Sequence, residues 1–263
     1  MLKLEDYLRQ REALKANAPR TRELCRSCRQ PGFACYCPEL RPFHSDIHFA
    51  ILIHPIESRR RIATGRMSHL TLQNSSLIEG QDYRQNAKVN ALLEDPANDC
   101  RILYPGPRAT DLGAMPAEER RQMLTPAPNR RLVIFVIDGT WATARKMMRQ
   151  SENLAPLPRL AFTPARPSNF RVRKQPRPEC FSTLEAIHQL LEFSAPERPE
   201  HAGLLQVFDH MVEKQLNFIR ASHLSTRKVT YRREENRKVL AGLGLLEGEE
   251  APQNGPGLGF AEP

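Results

Sequence analysis

Residues 132–137, LVIFVI, are an unbroken apolar run of strand length, rich in β-branched side chains, and DGTW follows directly at 138–141. A run without polar alternation has no face to give to water, so it belongs to a strand covered on both sides, as parallel strands are. Gly139 breaks the run, and Thr140 is placed as the N-cap of a helix in which Trp141, Ala144, Met147 and Met148 recur at helical spacing. The same alternation recurs elsewhere. Residues 47–53 (IHFAILI) read as a second buried strand ended by His54-Pro55, and 64–77 as a helix. Residues 101–104 are a short strand stopped by Pro105-Gly106, and 159–162 another; 182–193 and 204–219 are amphipathic helices. Together they predict an α/β fold, a mostly parallel sheet with helices on both faces.

The flanks differ in character. Residues 1–20 read as a charged helix or arm, 21–42 as a small cysteine-bearing element, 43–225 as the α/β domain, and 226–263 as a basic extension and disordered tail rich in Gly, Pro and Glu. No repeat is visible. The chain's 263 residues suffice for one large domain with such appendages. The N-terminus lacks the apolar core of a secretory signal, and the longest apolar run falls far short of the ~18 residues of a membrane span. A soluble, cytoplasmic protein with no membrane partner is expected. Lys and Arg number 39 against 30 Asp and Glu, a formal charge of +9, which favours a polyanion such as nucleic acid as partner. A soluble protein that merely happens to be basic is the alternative.

In a reducing compartment six cysteines are thiols or metal ligands. Cys25, Cys28, Cys35 and Cys37 fall within 13 residues as C-x2-C-x6-C-x-C, with Pro31-Gly32 where the backbone doubles back. Four thiolates so spaced suit a closed tetrahedral Zn2+ site, structural and without an open position for water. An iron–sulfur cluster or ordinary reduced thiols remain as alternatives. Cys100 and Cys180 stand alone.

Ligands of open parallel sheets bind beyond the carboxyl ends of the strands. Three loops qualify: His54-Pro55-Ile56-Glu57, Tyr104-Pro105-Gly106 and Asp138-Gly139-Thr140-Trp141. Gly106 and Gly139 permit close backbone approach, Thr140 opens a helix whose amides favour anions, and Trp141 offers a face to an adenine ring or a cation. Trp141 packed on the sheet as an ordinary helix residue is the competing reading.

The ordered set of Cys25/Cys28/Cys35/Cys37, His54-Pro55-x-Glu57, Tyr104-Pro105-Gly106, Asp138-x-Thr140-Trp141 and Ser182-Thr183-Leu184-Glu185-Ala186 resembles the DTW-domain family over about residues 21–220. Ala63-Thr64 stands where the family pattern leads one to expect Asn-Thr. The resemblance implies a SPOUT-like fold related to the knotted methyltransferases, and the knot comes only with the resemblance. It implies a tRNA-uridine aminocarboxypropyltransferase, which transfers the 3-amino-3-carboxypropyl group of S-adenosylmethionine to N3 of a uridine and releases methylthioadenosine. On that reading tRNA is the partner, and residues 43–225 are the catalytic domain. The oligomeric state is left open, with a monomer favoured.

Such chemistry needs a base for the uridine N3 proton, and Asp138 is the candidate; it could instead hold the ligand's amino group or cap the turn. Tyr104, Pro105, Gly106, Asp138, Gly139, Thr140, Trp141, Ser182, Thr183 and Glu185 are the candidate donor-binding residues, Glu185 being equally the far half of a helix capping box. The stretch 159–179 carries six cations before its first acid, with Phe162 and Phe170 between them, and suits RNA. Arg166, Arg171, Arg173 and Lys174 there, with His54, Arg59 and Arg66, are the candidate RNA contacts; a solvated basic loop is the alternative. A SAM-dependent RNA methyltransferase of related fold and a non-catalytic zinc-containing RNA-binding protein are the rival functions.

Overall fold

Residues 132–137 lie at the centre of a six-stranded, wholly parallel sheet. The computed structural model describes residues 23–173 and 180–224, with side chains as far as residue 218. The arm expected over 1–20, the extension and tail over 226–263 and Lys174 lie outside the described residues. Strands β1 (His48–Ile53), β2 (Ser76–Glu79), β3 (Asn98–Leu103), β4 (Ala109–Asp111), β5 (Arg131–Asp138) and β6 (Arg159–Ala161) stand in the order β2-β1-β5-β3-β6-β4. The central strand β5 therefore has its neighbours at β1, where Ile53 faces Asp138, and at β3, where Leu103 faces Val136.

Helices α1 (Pro55–Ser58), α2 (Thr64–Thr71), α3 (Ala87–Glu94), α4 (Ala117–Met123), α5 (Trp141–Gln150), α6 (Thr183–Ser194) and α7 (Ala202–Leu224) cover the sheet. The period of two along each strand decides which cover what. Phe49 and Ile51 of β1 and Leu132, Ile134 and Val136 of β5 pack with Met67 of α2, Leu184 and Ile187 of α6 and Phe208 of α7. The intervening Ala50, Leu52, Val133 and Phe135 pack on the opposite face with Val89 of α3 and Met147 and Met148 of α5. Both faces are dry, which is why neither strand alternates with polar residues. Among the described residues no helix is long and apolar enough to cross a membrane.

The structure departs from expectation where the sequence is polar. The helix expected over 64–77 ends at Thr71, because Asn74, Ser75 and Ser76 are poor helix formers, and the side chains of Asn74 and Ser75 bond to nearby backbone instead. Asn74 fixes the exit: its carbonyl accepts from Ser45 N at 3.0 Å and its amide donates to Ser45 O at 2.6 Å. The chain then becomes the edge strand β2. Helices α3 and α4 and strand β4 were not anticipated. For α3 a signal exists, since the Asn86 side chain caps it by accepting from Lys88 N and Val89 N. Strand β4 is three half-exposed residues with no apolar pattern to read.

The cysteine-bearing element folds over α7 and the loop at 58–61. Leu24 bridges Pro31 in antiparallel fashion, with Arg29 at φ 59° closing the turn, and two short 3-10 turns follow at Gly32–Ala34 and Cys37–Glu39. Arg29 Nη1 donates to Ser58 O and Gln30 Nε2 to Arg61 O, both at 3.0 Å, and Phe33 stacks on Phe218 at 5.8 Å.

Candidate active site at the ends of β5 and β3

Asp138 is the last residue of β5, a carboxylate at the end of the most apolar strand, and is only 4 % exposed. Three segments meet on it. His54 N donates to its backbone oxygen at 2.9 Å, Gly65 N to Oδ2 at 3.1 Å, and the Thr183 hydroxyl to Oδ1 at 2.8 Å. A Cβ at residue 65 would stand 2.3 Å from Oδ2, so only glycine lets the start of α2 reach this carboxylate. Burial pushes the Asp138 carboxyl up to about 6 from an ordinary 3.8; Thr183 and Gly65 pull the other way, the Glu57 charge adds to the rise and Arg173 opposes it. Each carboxylate oxygen accepts two hydrogens, so both keep one site open.

Asp138 forms the floor of a cleft of about 530 Å3, within the range of small-molecule sites. Tyr104 and Pro105 follow β3 on one wall, and Gly139, Thr140 and Trp141 pass from β5 into α5. Phe162, Phe181, Ser182 and Thr183 close the other side. The Thr140 hydroxyl accepts from Thr143 N at 3.2 Å, the predicted N-cap. Gly139 has a steric reason of its own, since a Cβ there would meet Thr143 Oγ1 at 2.7 Å. Trp141 is 44 % exposed, which sets aside the reading of a ring packed on the sheet.

Other expected residues are placed differently. Gly106 is exposed beyond the cleft wall, next to Arg159. Glu185 is spent inside the protein: Oε2 accepts from Ser182 N at 2.8 Å, completing the capping box, and from Ser168 Oγ at 2.7 Å, while Oε1 accepts from Asn169 N at 2.8 Å. It thus ties the 168–170 loop to α6. His54 is buried as the cap of α1, its Nδ1 accepting from Ile56 N and its Nε2 at 3.2 Å from Gln81 Oε1. Arg66 is buried and donates to the carbonyls of Ser58 and Arg60. Arg171 pairs with Glu213, and Phe170 is buried against Phe208. Of the candidate RNA contacts, Arg59, Arg166 and Arg171 are exposed.

Arg173 has a partner the sequence reading missed. It grips Glu57 with two hydrogen bonds, 3.0 and 2.9 Å, across 116 residues of chain, and Glu57 is 2 % exposed. Arg60 stands 3.4 Å from the same carboxylate, and both arginines line the cleft. Nothing local in the sequence signals such a pair. Ala63, at the position where Asn was expected, gives α2 no side-chain cap, while Thr64 lines the cleft.

The four cysteine sulfurs lie within 4.8 Å of one another, Cys25 to Cys37 at 3.7 Å and Cys28 to Cys35 at 3.6 Å. A tetrahedron with Zn–S bonds of about 2.3 Å has edges of about 3.8 Å, so the donor set fits that ion. Backbone N–H groups of Cys28 and Ser27 hold the Cys25 thiol down to about 6, whereas burial pushes the Cys28 and Cys37 thiols up.

The family model described as DTW domain matches residues 22–216. The tRNA-uridine aminocarboxypropyltransferase 2 of Drosophila melanogaster is 29% identical over 194 residues, 71% of this chain and 72% of the relative. The protein of the same name from Mus musculus is 28% identical over 166 residues, 61% of this chain and 53% of the relative, so the chain spans about half of that relative's length. The tRNA-uridine aminocarboxypropyltransferase A of Arabidopsis thaliana is 26% identical over 229 residues, 78% and 85% of the two chains. No solved structure matches significantly.

Proposed function

The chain belongs to the DTW domain family, and from that premise we propose that it is a tRNA-uridine aminocarboxypropyltransferase acting on N3 of a uridine with S-adenosylmethionine as donor. The observation that carries this reading is Asp138, a buried, hydrogen-bonded carboxylate raised to about 6 on the floor of an aromatic-walled cleft. Burial and neighbouring charges perturb such groups where proton transfer is needed.

In the proposed reaction the uridine N3–H gives its proton to Asp138, directly or through a water, and the N3 lone pair attacks Cγ of the donor's amino acid chain. The N3–Cγ bond forms as the Cγ–S bond breaks. The bonding pair returns to sulfur, the sulfonium charge is discharged and methylthioadenosine leaves. What decides for Cγ over the methyl carbon is the angle at which the sulfonium is held, a matter of positioning. Trp141 and Tyr104 offer faces to the adenine or the sulfonium, and Ser182 and Thr183, at the start of α6, suit the donor's carboxylate. Cys25, Cys28, Cys35 and Cys37 would hold one Zn2+ whose contribution is folding energy, with no open position for chemistry.

The test is mass spectrometry of nucleosides from unmodified tRNA incubated with the protein and S-adenosylmethionine. An aminocarboxypropyl increment on uridine with release of methylthioadenosine is expected. A methyl increment would make the protein a methyltransferase, and tRNA that binds yet stays unmodified would leave a zinc-containing RNA-binding protein.

A further inference from the structure

Most arginines that the sequence offers to RNA already have partners within the chain: Arg66 with carbonyls, Arg171 with Glu213 at the surface, Arg173 with Glu57. Besides the exposed Arg59 and Arg166, a further group of arginines lies around helix α5. Helix α5, WATARKMMRQ, contains no acid, and Ala144, Met147 and Met148 bury its inner face. Trp141, Arg145 and Arg149 are all exposed and stand at i, i+4 and i+8, so they form one outward stripe with steps of about 6 Å along the axis. Among the described residues the Arg145 and Arg149 guanidinium groups have no hydrogen bond or ion pair. The stripe starts at the cleft mouth, because Trp141 is itself a wall of the cleft. Beside it the Arg159 guanidinium lies 5.8 Å from the centre of the Tyr104 ring, and the charges of Arg145, Arg159 and Arg149 all act on the Tyr104 hydroxyl.

We propose that this face, from Trp141 through Arg145 to Arg149 with Arg159 and Tyr104 alongside, receives the phosphate backbone of the RNA whose base enters the cleft. The proposal rests on the transferase reading and assigns its RNA surface. N3 is the atom that pairs in a duplex, so the target base must leave its stack to reach Asp138, while the adjoining phosphates stay outside at the rim. At that rim the protein presents what the strand around the target base needs, a row of unpaired cations for phosphates. A neutral or basic protein partner would find no complementary charge on this row.

The experiment is titration of tRNA binding against salt for four proteins: wild type, Arg145→Ala/Arg149→Ala, Arg145→Lys/Arg149→Lys, and Arg171→Ala. Each phosphate contact contributes about 0.7 to 0.9 to the slope of log K on log salt. The alanine pair should therefore lose about 1.5 units of slope and roughly tenfold or more in affinity at moderate salt. The lysine pair should keep the slope, since it keeps the charge, and Arg171→Ala should match wild type. Affinity of the alanine pair for S-adenosylmethionine, measured by calorimetry, should be unchanged and shows that the cleft is intact. A wild-type slope in the alanine pair, or loss of slope in Arg171→Ala, would overturn the assignment while tRNA modification by the wild type kept the transferase reading. Wild-type protein with no affinity for tRNA would remove both.

Discussion

Asp138 joins two properties that usually exclude each other, near-complete burial and an ionisable carboxyl, and the hydrogen bonds from Thr183 and Gly65 reconcile them. Asp138→Asn keeps the shape and still accepts from Thr183, but it cannot take the N3 proton. Transfer should fall about 100- to 10,000-fold, the usual worth of a general base, with tRNA affinity within about twofold in a binding assay. The acid limb of the wild-type rate profile should have its midpoint near pH 6, since the carboxylate is the active form. Stability runs the other way. The folded-state value is the raised one, so the neutral carboxyl favours folding, fully below about 3.8, and that contribution is lost as the pH rises through about 6. Denaturant titrations of wild type and Asp138→Asn across this window would expose the difference. Arg173→Ala should shift the acid limb upward, because it removes a charge that holds the carboxyl down, and should destabilise the protein by a few kcal/mol by leaving Glu57 buried with only Arg60. Asp138 was legible in the sequence because a lone acid after six apolar residues, next to a glycine, must sit at a strand end. The Glu57–Arg173 pair was not, because its members are 116 residues apart and each alone looks like surface charge.

Among the elements, the start of α2 and the cysteine cluster act on the cleft by packing against what lines it. Gly65→Ala would put a methyl 2.3 Å from Asp138 Oδ2 and 3.0 Å from Ile51 Cγ2, forcing α2 away from β5. A loss of about 1–3 kcal/mol in thermal or chemical denaturation is expected, together with reduced transfer. The cysteine element holds the 58–61 loop through Arg29 and Gln30, and that loop carries Arg60 into the cleft. Metal analysis should find one zinc per chain, lost in Cys28→Ser, and chelation should lower both the melting temperature and transfer. Metal-free protein with undiminished stability would contradict the tetrahedral reading of the sulfurs. The four cysteines could be read from spacing alone, as could the caps at Thr140 and Ser182, because a cap is a contact between residues three apart. Strand β2 escaped notice because SLIE at a sheet edge shows too few buried positions for a period to emerge.

At the scale of the molecule, the two dry faces of the sheet were legible in the nearly continuous apolar run at 47–53 and the unbroken one at 132–137, as expected of a doubly covered parallel strand. The order of the strands was not, since placing β5 between β1 and β3 depends on crossovers that leave no local mark. Yet that order makes the site: it sets Asp138 beside the loop after β1, where His54 N bonds to its backbone oxygen, and near the loop after β3, so Tyr104, Asp138 and Trp141 meet in one cleft. The proposed basic surface follows the same logic, because Arg145 and Arg149 extend along α5 from Trp141 at the mouth of that cleft. The most direct test of Asp138 as the base for aminocarboxypropyl transfer in this cleft uses S-adenosylmethionine labelled separately in its carboxyl and methyl carbons, incubated with unmodified tRNA and either wild type or Asp138→Ala. Carboxyl label entering tRNA with wild type alone, with no methyl label in either, is the predicted result. Methyl label in the tRNA, or carboxyl label transferred equally by Asp138→Ala, would contradict it.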